Sequence, residues 1–375
     1  MIKKVKIPQL KESDFLIVPT PLPQELFSSW FIRTAYAHQT HPHTFENLYL
    51  ALPKKLFSKD IDVSIDQDTM QCIEKKCRFT VDLSQLTMQS YDTYLQERVI
   101  PNGQNKYITT LRYCPECLRR DKVPYFRKTW KILFSTLCME HHCFLHERCP
   151  KCMRSLDISK MYKNKHPFTS CHYCGFDLKK TRRKPIPRSY MMYIEPTKTL
   201  MEILNKGYIS LNGTPVYSFY FFDALAQLSK TILIHKALKR IDHYLPKKIC
   251  LKWRSQIFTP QTAASRQIPL AEQFVLYSSI MMLFQKYPQT YRSFLLENQL
   301  SHWRSLKDMG YVSYWFDELI NSTTPRSVHR VKFITSEEIE AAKRYLSSQF
   351  MIINKANLTR LLGCNFFSSY NHLEV

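Results

Sequence analysis

Arg112-Tyr-Cys114-Pro-Glu-Cys117-Leu, Cys138-Met-Glu-His141, Cys149-Pro-Lys-Cys152 and Cys171-His-Tyr-Cys174-Gly follow one another between Arg112 and Leu178. Each segment sets two soft or borderline donors two residues apart, so a single tight turn supplies two corners of a metal site. Paired in order they make two four-donor sets: Cys114, Cys117, Cys138 and His141, then Cys149, Cys152, Cys171 and Cys174. The knuckles of the second set are eighteen residues apart, within the spacing of a tetrahedral zinc site; those of the first are twenty apart. Four protein donors leave no position for a reacting water, so the pattern predicts two structural Zn2+ ions. Binding to such sites is worth about 10–16 kcal/mol near neutral pH, and that free energy is folding free energy. Free or disulfide-bonded cysteines are the competing use of these residues.

His142 competes with His141 as a ligand, but the two-residue gap from Cys138 repeats the knuckle spacing and favours His141. Cys143 breaks the pattern. Glu140-His141-His142 lacks the HExxH arrangement of a zinc hydrolase. The three histidines His38, His41 and His43, with Pro42 between two of them, read as a loop and not as a preformed metal site.

The same stretch carries a family resemblance. Arg112-x-Cys-Pro-x-Cys-Leu, then Pro124-Tyr125-Phe126-Arg127-x-x-Trp130, Cys138-x-x-His141-x-x-x-Leu145 and Cys149-Pro-x-Cys152, resembles the core signature of the TniQ family. The run Pro21-x-Pro-x-Glu25-Leu-x-Ser28-Ser29-Trp30-x-x-Arg33 is similar to that family's opening motif. The resemblance extends loosely to about residue 300. It implies a transposition target-selection adaptor that binds target DNA, or attaches to an RNA-guided CRISPR effector complex, and recruits the transposon's AAA+ ATPase. It also implies a helix-turn-helix near the N-terminus and no catalysis by this chain.

Charge points the same way. The 375 residues carry 54 Lys and Arg against 31 Asp and Glu, a formal +23. Residues 111–190 hold 19 basic and 6 acidic side chains, a net of +13 in about a fifth of the length. Such a patch attracts phosphate backbones with salt-sensitive, sequence-independent affinity. Lys179, Lys180, Arg182, Arg183, Lys184 and Arg188 form a basic run with two prolines, read as a linker that tracks nucleic acid. A solvated charge run is the plainer alternative. An anionic membrane is disfavoured because no long basic amphipathic helix stands out, and the apolar run 274–284 is too short to span a bilayer. Without a secretory signal, and with knuckle-spaced cysteines, the chain reads as cytoplasmic and nucleoid-associated. Cys72, Cys77, Cys250 and Cys364 read as buried thiols.

The predicted fold is mostly α and multidomain. It comprises an N-terminal helical domain over 1–105, a double zinc-knuckle module over 106–180, a basic linker over 181–190 and a C-terminal helical domain over 191–375. Helical spacing puts Leu26, Phe27, Trp30, Phe31 and Ala37 on one face behind Pro21 and Pro23, with Trp30 in the core and Glu25 and Arg33 as a structural ion pair. Helical patterns at 70–76 and 83–95, broken at 77–82, suggest a helix-turn-helix or a plain hairpin. Pro101-Asn102-Gly103 reads as a boundary turn. Helices are expected over 197–205, 217–244, 269–285 and 291–306, their aromatic residues serving mainly as core. Thr335-Ser-Glu-Glu338 is a capping box for a helix to Phe350, and Asn354 caps a second, giving a tail like a helix-turn-helix.

With six glycines and no GxxxxGK loop, no nucleoside triphosphate cradle is present in the sequence, and no two-metal carboxylate constellation is evident. A zinc-containing, sequence-specific transcriptional regulator is the rival reading, and a metal-dependent nuclease a third. A homodimer is left open.

Overall fold

The computed structural model describes residues 14–52, 55–77, 82–89, 91, 97–99, 107–109, 111–161, 163, 166–234, 269–307, 309, 311–324, 336–354, 357, 358 and 361. The chain divides into two compact units, Met1–Tyr287 and Pro288–Val375. The first begins with α1 (Phe27–Ala37) and α2 (Pro42–Tyr49), followed by α3 (Ile61–Ser64) and α4 (Gln67–Lys76). Proline opens α2, where a missing N–H costs nothing. Asp66 caps α4 by accepting from the Thr69 N–H at 2.8 Å. One stripe of α1 packs with its neighbours into an aromatic core that includes Phe15, Phe27, Trp30, Phe31, Phe45 and Phe57.

The second helix expected over 83–95 is not formed in its described part. Leu83–Leu86 is a single 3-10 turn that Thr87 leaves in extended backbone. Asp82 caps this turn by accepting from Ser84 N and Glu74 accepts from Leu83 N, but the Met88 N–H, which a continuing helix would turn back onto its own preceding turn, donates to the distant Asp62 O. Beyond it, β1 (Glu97–Val99) pairs antiparallel with β2 (Tyr107–Thr109). The Pro101-Asn102-Gly103 turn lies outside the described residues.

The cysteine-rich segment carries only short elements: α5 (Pro115–Arg120), β3 (Leu137–Cys138), β4 (Cys143–Phe144), α6 (Ile158–Met161) and β5 (Lys184–Pro185). After it come α7 (Ile194–Lys206), the hairpin β6 (Tyr208–Leu211) and β7 (Thr214–Tyr217), α8 (Ser218–Ile234) and α9 (Leu270–Leu283). Gly207 stops α7 in the left-handed region at φ 81°. Asn212 and Gly213, both at positive φ, turn the hairpin. Helix α9 is buried nearly all round, from Gln273 to Leu283. The aromatics at 217–222 divide as the strand and helix dictate, Phe221 and Phe222 in the core and Tyr217 and Tyr220 exposed. The end of the helix expected over 217–244 lies outside the described residues.

In the second unit the helix expected over 291–306 is two: α10 (Gln289–Glu297) and α11 (His302–Leu306). Asn298 turns its amide onto Phe294 O, Gln299 takes φ 51°, and Ser301 caps the new helix through Arg304 N. Then follow α12 (Tyr314–Thr323) and α13 (Ser336–Ser348), the latter starting inside the expected capping box. Asn354 Oδ1 accepts from Asn357 N at 2.8 Å, a cap as read from the sequence; residues 362–375, which hold the rest of the tail motif, lie outside the described residues.

The two halves of the sequence signature meet in the first unit. The Leu26 N–H donates to Phe126 O at 3.0 Å, the Lys128 N–H to Gln24 O at 2.7 Å, and the Phe126 N–H to Ser29 Oγ at 3.1 Å. Arg33 forks onto both oxygens of Glu25 at 2.8 Å, and Ser29 Oγ donates to the same carboxylate. Beneath this seam Lys131, fully buried, donates to Asp60 at 2.6 Å and to Asp62 at 2.8 Å. Asp62 in turn accepts from the backbone N–H and the hydroxyl of Ser28 at the start of α1. Burial opposes the ammonium charge, yet the two carboxylates hold the Lys131 pKa above its usual value.

A buried charge that loses its partner is costly, about 3–5 kcal/mol. Lys131→Met should therefore lower the unfolding free energy by about that amount in denaturant titration. Adding Asp62→Asn should recover part of the loss; equal stability of wild type and Lys131→Met would contradict the pairing.

Candidate metal centres and the basic strand beside them

Three of the four knuckles are the same hairpin. In the first, Leu137 of β3 pairs with Phe144 of β4; in the next two, Arg148 bridges Ser155 and Ser170 bridges Asp177. The offset is seven residues each time, so the ligands occupy equivalent places. The residue after the second donor lies at positive φ in all three: His142 at 45°, Met153 at 58° and Gly175 at 68°. In the last two hairpins the N–H of that residue donates to the first cysteine's carbonyl at 2.9 Å. The fourth knuckle, Cys114 to Cys117, is instead the start of α5, with Pro115 at its first position.

These turns bring together both donor sets. Cys114, Cys117, Cys138 and His141 lie within 4.8 Å of one another, as do Cys149, Cys152, Cys171 and Cys174. All of the first set is buried; Cys152 and Cys174 of the second are half-buried. The distances test whether a metal fits. With zinc–sulfur bonds of about 2.3 Å and zinc–nitrogen bonds of about 2.0 Å, tetrahedral edges are about 3.8 Å for S···S and about 3.5 Å for S···N. Cys117 and Cys138 are 3.5 Å apart, and His141 Nδ1 stands 3.3, 3.5 and 3.8 Å from Cys117, Cys138 and Cys114. In the second set Cys149–Cys174 and Cys152–Cys171 are 3.6 and 3.7 Å. Both sets have the dimensions of a four-coordinate metal centre. Glu140 Oε1, 3.8 Å from His141 Nε2, faces the ring nitrogen that is turned away from the sulfurs.

Two neighbours resolve differently. His142 is the left-handed residue of its turn and is exposed, so its ring lies outside the first set. Cys143 is fully buried with Sγ 3.8 Å from Cys114 Sγ, a proximity that spacing alone did not suggest. Among the described residues His38, His41 and His43 form no donor set: His38 packs on Phe45 and Tyr49 and takes the Ile17 N–H on Nε2, His43 faces Glu46, and His41 is exposed. Cys77 is a buried thiol whose pKa burial pushes up to about 11; Cys72 is half-buried, and Cys250 and Cys364 lie outside the described residues.

The basic run after the second centre is built into the first. Lys184 and Pro185, which form β5, pair with β4 through Phe144 and Cys143. Arg183 donates to the carbonyls of His141 and His142, at 2.8 and 3.4 Å, and so clamps the ligand turn. Lys180, Arg182, Lys184 and Arg188 are exposed and Lys179 half-buried. Under this strand lies His146, whose pKa falls to about 4, first through burial and then through the charge of Lys184.

Arg112 ties the module together from within. Its guanidinium donates to the carbonyls of Ile132, Leu133 and Ser135 and reaches Glu147 and Gln273 of α9. Phe134 packs on Phe222, and Phe144 meets Phe274 edge-on, so the centres share a core with the helices that follow them.

The fold and donor sets define a mostly α, multidomain protein organised around two four-donor centres. Residues 16–145, about a third of the chain, match the family model described as TniQ, so this stretch carries a TniQ-family domain. That match spans the seam and the first donor set and ends before the second. No curated protein matches the chain. Among the described residues, no helix is long and apolar enough to cross a membrane.

Metal analysis of the purified full chain should give two ions, and Cys171→Ser should give one together with a lower melting temperature. Zero or one ion in folded wild-type protein would contradict the two-centre arrangement.

Proposed function

We propose that this protein is a transposition target-selection adaptor, a non-catalytic hub that engages target nucleic acid or a guide complex and recruits an AAA+ ATPase. The observation that carries this reading is the seam: the two motifs matched by the TniQ family meet as one interlocked structure around Lys131, with a donor set on one side. Two structural zinc ions would be held by Cys114, Cys117, Cys138 and His141 and by Cys149, Cys152, Cys171 and Cys174. Zinc there supplies cross-linking of turns that have little other support. Seven thiolates and two dications carry −3 together, so the metal-bound stretch 111–190 keeps +10 of its +13.

Nucleic acid is the partner this charge favours. Lys179, Lys180, Arg182, Lys184 and Arg188 would meet phosphates, while Arg183 serves the ligand turn first. Co-purification with proteins of the same transposon tests the adaptor role: recovery of an AAA+ protein supports it, and a lone chain bound to an operator points to a regulator.

Arg182→Glu with Arg188→Glu should weaken duplex DNA binding and lower the slope of log affinity against log salt by about 0.9 for each phosphate no longer neutralised. Salt titration by fluorescence anisotropy reads this directly, and an unaltered slope removes the basic run from the interface. Arg183→Glu should instead lower metal retention, because its carboxylate would face the His141 and His142 carbonyls.

A further inference from the structure

Between the hairpin of Cys149 and Cys152 and strand β5 runs a groove of about 710 Å3. Its base is apolar, formed by buried Phe144 and Leu145. Pro150, Met153, Pro185 and Pro187 carry that apolar surface out to solvent, Met153 being 59% exposed. Arg148, Arg182 and Lys184 line the same groove and are exposed, and none of the three is ion-paired with a carboxylate among the described residues. Glu147, the acidic lining residue, is occupied by Arg112 at 3.3 Å. His146 also lines the groove, is 5% exposed, and its Nε2 has no hydrogen-bond partner among the described residues.

This combination discriminates among polyanions. Duplex DNA presents phosphates outward and keeps its base faces stacked, so it would use the cations and leave the apolar base unfilled. Single strands expose both phosphates and base faces, and proteins that hold them pair a cationic track with apolar or aromatic platforms. The volume lies within the range of about 300–1,000 Å3 that accommodates organic ligands. Next in sequence to Met153, Arg154 lies 3.2 Å from the ring centroid of Tyr173, which is 57% exposed, a further cation and ring beside the second centre though not in the groove's lining.

We infer that this groove binds a single-stranded nucleic acid segment, with bases against Met153 and the Phe144 base and phosphates on Arg148, Arg182 and Lys184. The inference rests on the nucleic-acid reading above and narrows it from backbone attraction to a site for unpaired bases.

The test uses the full metal-loaded chain and fluorescently labelled oligonucleotides of about eight nucleotides, as single-stranded DNA, single-stranded RNA and duplex DNA, followed by anisotropy. Either single strand should bind more tightly than the duplex, and the tighter of the two names the sugar recognised. Met153→Gly suits the positive φ and removes the platform; it should weaken single-strand binding about tenfold while changing duplex binding little. Lys184→Glu provides an independent variant and should weaken the single strand as well, with metal content and circular dichroism checking that each variant is folded. Duplex binding that equals or exceeds single-strand binding, with Met153→Gly silent, overturns the groove and leaves the nucleic-acid reading standing. Absence of binding to all three probes overturns both.

Discussion

Lys131 in the interior is the constraint on which the first unit depends. An ammonium group with no access to water is tolerable only where carboxylates meet it, and those carboxylates come from Asp60 and Asp62, some seventy residues earlier. Asp62 is itself held by Ser28, so one charge fixes the start of α1, the short α3 and the segment leading into the first donor set. The hydrogen bonds between residues 24–29 and 126–128 then follow with little freedom. The Glu25–Arg33 fork and the Asp121–Arg127 fork stand on either side of this seam, each bidentate. Much of the TniQ signature is thus a description of one joint, with the metal donors attached to it.

The donor sets achieve regularity from a different source. In the three hairpin knuckles the chain reverses between the donors, and reversal at that register places a left-handed residue directly after the second donor; the Cys114–Cys117 knuckle, wound into the start of α5, has none. Glycine supplies it in one hairpin, whereas Met153 and His142 adopt it at a backbone cost that metal binding can offset. This also explains why His142 is no ligand although it is adjacent to one. The left-handed turn directs its side chain away from the donors.

The sequence was most legible where chemistry is local. Donor spacing puts eight candidate donors into the two groups that the structure gathers, and apolar spacing puts Trp30 and its neighbours in the core. Legibility ended where the answer depended on distant partners. Lys131 reads as one more positive charge until Asp60 and Asp62 are brought beside it. Residues 83–95 have helical spacing, but Asp62 O captures the Met88 N–H, which a helix would need for its own ladder. The hairpin at 208–217 could have been found, since Asn212-Gly213 is a strong signal for a two-residue turn. It was obscured by the aromatic run that continues into α8. The basic run after Leu178 was legible as charge but not as a strand, because pairing with β4 is set by the ligand hairpin and not by its own composition.

That pairing couples two properties which composition treats as separate. Strand β5 is short and exposed and lies in a run of like charges, and nothing in its own residues would hold it straight. It is ordered by hydrogen bonds to β4, whose partner strand ends in Cys138, and by the Arg183 clamp on the His141 turn. A metal ion that closed the first donor set would therefore also position Arg182 and Lys184. Loss of that ion would release the hairpin and with it the cationic track. By linkage, any polyanion bound to the ordered track must in turn favour the metal-bound state. Coordination at Cys114, Cys117, Cys138 and His141 would then be more than a staple: it would set whether the charges beside it act as an organised surface or as a dispersed one.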